Sequence, residues 1–142
     1  VYLWIGKEPL SIELAEDYAK DNKSVKKVAV LLCSLQLEES NFMDLSSDFY
    51  SGLFRGFVAK FHNYLKTTNP VQMKKRASVV ADNFVAFIEE TYERKIEVVH
   101  THTQAPESYR RCLSHAERFL GQDKQGCYVV INPDCIHSMD PV

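Results

Sequence analysis

The sequence predicts an α/β or α+β fold: a single domain with two long central helices, residues 47–67 and 70–95, packed on a sheet of about four strands. Three observations predict it. Short apolar or alternating runs recur between stretches of helical periodicity. A broad aromatic stripe repeats at helical spacing through Phe49, Leu53, Phe57, Phe61 and Leu65. Asn69-Pro70 then supplies an N-cap with proline at the first helical position, so a second helix starts where the first stops.

Taken in order, Tyr2 to Ile5 is a short aromatic run broken by Gly6, the pattern of a strand. Ser11 can cap a helix reaching about Lys20, with Leu14, Ala15, Tyr18 and Ala19 on its apolar side. Residues 28–33 are apolar at successive positions, as expected of a strand covered on both faces. Residues 38–44 read as a polar connection, and Asp44, Ser46 or Ser47 can cap the helix that follows. Tyr50, Phe54, Val58 and Tyr64 widen the stripe of that helix until it can face more than one neighbour. The second long helix carries Met73, Ala77, Val80, Phe84, Phe87, Ile88 and Tyr92 at helical spacing. It ends in Arg94-Lys95, cations suited to the negative end of a helix dipole. Residues 96–103 alternate and are rich in β-branched side chains, so they form a strand. Pro106 opens a helix with Tyr109, Cys112, Leu113, Ala116 and Leu120 on one stripe, ended by Gly121. The run from Cys127 to Ile131 makes a last strand, stopped by Asn132-Pro133.

Composition limits the function classes. Hydrophobic residues at 45% and charged residues at 25% are globular values. A length of 142 residues suits one domain, and the start at Val1 rather than Met suggests a piece of a longer chain. The net charge of −2 argues against nucleic acid as a partner. No run approaches the ~18–20 apolar residues of a membrane span. The even cysteine count, Cys33, Cys112, Cys127 and Cys135, would suit two disulfides in a small secreted protein. A chain of this length holds a core without them, and Cys33 and Cys112 read as core hydrophobes, so a reducing, cytoplasmic setting is expected.

His100 and His102 lie two apart on a strand, so both imidazoles share one face, and Cys135 with His137 offers a second close pair. Four such nitrogen and sulfur ligands would suit zinc, the one cofactor the sequence suggests. The plainer alternative is an exposed strand face and a loose C-terminal tail. Cys112 and His115 are helical neighbours, yet Cys112 falls on the apolar stripe, where packing is the better reading than nucleophilic catalysis. Neither a Gly-x-Ser-x-Gly elbow nor a Gly-x-x-x-x-Gly-Lys phosphate loop is present. Lys74, Lys75 and Arg76 put positive charge in the first turn of a helix, where the dipole opposes it. Arg110, Arg111 and Arg118 add a second basic group, suited to phosphates or an acidic partner, or to a solvated face.

The first twenty residues combine aromatic Tyr2 and Trp4, Gly6-Lys7, the acidic Glu13 and Glu16, and Tyr18-Ala19. In this they resemble the centre of a gelsolin-type repeat, and residues 28–33 and 49–54 follow in the family's order. The resemblance implies actin binding or a structural role, often with calcium.

The function expected is a non-catalytic protein–protein interaction or assembly module, with a protein partner or a second copy. It would bind through Tyr50, Phe54 and Phe57 on helix 47–67 and through Lys74, Lys75 and Arg76. The alternatives are a small metal-dependent or cysteine-based enzyme built around His100, His102, Cys135 and His137, and an actin-binding gelsolin-like domain.

Overall fold

A computed structural model describes residues 1–23, 27–68 and 76–142, in which five α-helices accompany six strands arranged in two sheets. The strands are β1 (Tyr2–Trp4), β2 (Leu31–Leu35), β3 (Phe42–Asp44), β4 (Val98–Gln104), β5 (Lys124–Val130) and β6 (Ile136–Pro141). The helices are α1 (Leu10–Lys23), α2 (Asp48–Thr68), α3 (Arg76–Tyr92), α4 (Glu107–Arg111) and α5 (His115–Phe119). The mixed α/β class and the two long helices agree with the sequence expectation. The expected helix start at residues 70–75, including Lys74 and Lys75, lies outside the described residues.

The main sheet has the order β1-β5-β4-β3. β5 pairs antiparallel with both β1 and β4, whereas β3 lies parallel to β4. A parallel pair cannot close through a tight turn, and here the long helices supply the crossover. Their apolar sides settle on one sheet face. Met43, Tyr50, Phe84, Ile88, Ile96 and Val99 are buried there together, with Leu53, Phe54, Phe57 and Val129 packed around them. The opposite face carries Val98 and Val130, which pack with Cys135, Leu35, Leu37 and Ile136 from the segments around β2 and β6. At the β1 edge, the Tyr18 ring of α1 lies 5.7 Å from Tyr2 and 5.8 Å from Trp4, beside the buried Leu14.

Four sequence expectations change. The strand covered on both faces is β4, where Val98 and Val99 are both buried, rather than residues 28–33. β2 starts at Leu31 and pairs with β6 in a separate two-stranded sheet, so Leu31 and Leu32 stay exposed. The C-terminal segment is this ordered β6, with Ser34 and Ser138 hydroxyls 2.6 Å apart across the ladder, and not a loose tail. The connection at 38–44 contains β3, three residues too short to show a period of two.

The helix read from Pro106 to Leu120 is also two pieces. Ser114 accepts from the Glu117 amide while the Glu117 carboxylate accepts from the Ser114 amide, a capping box that starts a new helix. The register of the stripe is lost at that break, and its Cys112 and Leu120 are exposed rather than core. Gly121, at φ +79°, then ends α5 as expected. α3 stops at Tyr92, before the predicted residue 95, because Glu93 turns to φ +50°.

Candidate functional site

Two constellations emerge where β3 meets α2 and β4. The first begins with alternation along β4, which places His100 and His102 on one face. Pairing sets Tyr128 beside His100, Gly126 beside His102, and Asp44 of β3 beside His100 on the other side. Asp44 Oδ1 lies 2.8 Å from His100 Nδ1. The same carboxylate oxygen accepts from the Ser46 amide at 2.9 Å and the Ser46 hydroxyl at 2.6 Å. Ser47, not Asp44, then caps α2, its hydroxyl accepting from the Tyr50 amide. Asp44 is thereby held on the sheet by the turn that launches the helix.

Partial burial works to raise the Asp44 pKa, but the hydrogen bonds from Ser46 and His100 outweigh it and hold the carboxyl below its usual value. A carboxylate can only accept, so Nδ1 of His100 is the donor of this bond, and the tautomer it selects for a neutral ring leaves Nε2 as the acceptor. The His100 and His102 rings are 5.4 Å apart, and the Tyr128 ring stands edge-on to His100 at 5.5 Å. Both Nε2 atoms lean over Gly126: a β-carbon there would sit 3.5 Å from one and 3.8 Å from the other.

Cys135 and His137 do not complete this pair. Cys135 is buried against Val98 and Val130, and its thiol donates to the Asn132 carbonyl at 2.9 Å. Burial, helped by the nearby Glu97 and Asp134 charges, pushes that thiol's pKa up. His137 is exposed on β6. Among the described residues, no three His, Cys, Asp or Glu side chains are grouped to hold a metal ion. Packing claims Cys135 for the core and sets it apart from the histidine pair. Cys112 and His115 do not share one helix, because α4 ends at Arg111 and α5 begins at His115.

The second constellation is the aromatic end of the long helices. Of the expected contact residues, Tyr50 is 9% exposed, with its hydroxyl accepting from Arg94 Nη1 at 2.8 Å. Phe54 and Phe57 lean on Phe84 at 5.0 and 5.4 Å. These three rings face the core. Arg76 is the first residue of α3, and Lys74 and Lys75 lie outside the described residues. What faces outward instead is Phe49, 53% exposed. Its ring stands edge-on to Tyr50 at 5.0 Å and to Tyr92 at 5.9 Å, and the Arg94 guanidinium lies 5.2 Å over the Tyr92 ring. A cleft of about 610 Å³ opens beside them, walled by Glu39, Asp44, Phe49, Tyr50 and Arg94. A cavity of about 540 Å³ lies elsewhere, between β1, α1 and β2, with Leu3, Ile12, Leu35 and Val98 on its walls.

No family model, curated protein or solved structure matches this chain. No helix among the described residues is long and apolar enough to cross a membrane. The second arginine group is largely spent on the fold: Arg110 Nε donates to the Ala105 carbonyl, Arg118 Nη2 to the Arg110 carbonyl, and Arg111 pairs with Glu107. Sequence reasoning treated Phe49 as one more stripe residue and Arg94 as a dipole cation. Phe49's place at the first turn of the stripe, where the covering helix has ended, is the signal that it would stand outside.

Proposed function

We propose that this chain is a non-catalytic protein-interaction module that assembles with a second copy through the aromatic–arginine cluster at the start of α2. The exposed Phe49 ring carries the reading. It is held between Tyr50 and Tyr92, so it loses little freedom on docking, and the neighbouring Arg94 adds a charged contact. Aromatic rings and arginine are the side chains that most often dominate interface energies. Phe54 and Phe57 support the surface from beneath by fixing α2 against Phe84. A cytoplasmic setting belongs to the same proposal, since each of the four cysteines is a free thiol. The gelsolin-type resemblance of residues 1–20 makes actin the partner to test beside self-assembly, by cosedimentation.

Light scattering coupled to size exclusion, across a concentration series, tests the proposal. The mass is expected to exceed the 16.3 kDa of one chain, and Phe49→Ser to return it to that value with an unchanged circular dichroism spectrum. A single-chain mass at every concentration overturns self-assembly.

A further inference from the structure

We propose that His100 and His102 form a binding site for a divalent transition-metal ion, with Asp44 as the residue that positions the first of them. The site uses two of the histidines singled out by their spacing and replaces the cysteine-containing half with a carboxylate behind one ring.

Three features of the geometry converge. Both Nε2 atoms lie within 3.8 Å of the point where a β-carbon of residue 126 would stand, so the two ring edges converge over the bare Gly126 backbone, with an Ile5 methyl at 3.8 Å beside them. An ion there would bond each nitrogen at roughly 2.0–2.1 Å, which in a tetrahedral arrangement brings the two ring centres to about 5 Å. The observed 5.4 Å is close to that spacing before any adjustment, and His102 is exposed enough to adjust. Asp44 supplies the third feature. Histidines that hold metals generally give their second ring nitrogen to a carboxylate, which orients the ring and makes it a better donor. Asp44 Oδ1 accepts from His100 Nδ1 at 2.8 Å in this way, and Ser46 holds the carboxylate in turn.

Imidazole nitrogens select zinc, copper or nickel over magnesium and calcium, which prefer oxygen. Two protein ligands leave the remaining positions to water or to an incoming donor. The site is therefore an open one, and its affinity falls below that of a closed four-ligand centre. A side chain on residue 126 would crowd an ion held by both rings, since its β-carbon would already stand 3.5 and 3.8 Å from the two Nε2 atoms.

Titration of the metal-stripped chain with zinc chloride in a calorimeter tests the proposal, using a Cys112→Ser background to remove the exposed thiol as a competing ligand. One ion per chain is expected. His102→Ala, a change at an exposed position, should abolish that step, and Asp44→Asn should weaken it about 10- to 100-fold. Electron paramagnetic resonance with copper(II) gives an independent readout: coupling to two nitrogens in the parent, and loss of the two-nitrogen signal in His102→Ala. Absence of a saturable one-to-one step, or a His102→Ala variant that binds as the parent does, overturns the site. Unchanged affinity in Asp44→Asn overturns the positioning role.

Discussion

Glu97 hangs between two asparagines. Asn132 Nδ2 donates to it at 2.8 Å and Asn41 Nδ2 at 3.0 Å, while its backbone bonds to Asn41, Ile131 and Asn132. One residue thus ties the start of β3 and the end of β5 to β4, beside the buried Val98. The Asn132 and Asn41 bonds favour the ionised carboxylate and hold its pKa below the ordinary 4.5. A depressed folded-state pKa means that the contribution is complete above the unfolded value. It is then lost as the pH falls through the lower, folded one. Denaturant midpoints measured from pH 7 down to pH 3 should show it: the parent loses more stability on acidification than Glu97→Gln does. Parallel losses in the two proteins would show that Glu97 is not a source of the acid sensitivity. Neither asparagine was legible as a partner in the sequence, because both bonds join residues distant along the chain.

At the scale of elements, the crossover from β3 to β4 is held by rings. Phe84 of α3 is wholly buried, with Phe54 at 5.0 Å, Phe57 at 5.4 Å and Phe87 at 6.3 Å. Removing its ring leaves a cavity that α2 cannot fill without leaving the sheet. Phe84→Ala is expected to cost about 3–5 kcal/mol in a denaturant melt. Leu120, 74% exposed beyond the break in the α4–α5 segment, should change stability by less than about 0.5 kcal/mol when replaced by serine. The pair of substitutions separates two stripes that look alike in the sequence. Helical spacing identifies residues able to share a face, and the capping box at Ser114 decides that the second stripe never forms one.

Across the whole molecule, the main sheet is covered by α2 and α3 on one side and by the β2–β6 segments over part of the other. This layering sets the chemistry of the four thiols. Cys127 is fully buried in β5, where desolvation pushes its pKa to about 11, and Cys135 is buried in the turn before β6. Cys112 is exposed and Cys33 is intermediate. Alkylation followed by mass spectrometry should therefore modify Cys112 first and Cys33 next, with Cys127 and Cys135 labelled only on unfolding. Early labelling of Cys127 would contradict the placement of β5 at the centre of the sheet, between β1 and β4. Cys112 was expected in the core and is exposed, because apolar spacing reports a stripe, not what covers it.

The sequence by itself determined the alternation of helical and extended segments, the aromatic stripe of α2 and the same-face pairing of His100 with His102. Each is a local consequence of a 3.6-residue or two-residue period. Tertiary structure decided the rest. Parallel pairing of β3 with β4 brought Asp44 to His100 across 56 residues of chain. Folding α2 onto α3 turned Tyr50, Phe54 and Phe57 inward and left Phe49 outside. Pairing of β6 with β2, and packing of Cys135 on Val98, drew the second half of the expected metal quartet away from the first. Strand pairing and helix docking join residues far apart in the chain, and no local period encodes which of them will meet.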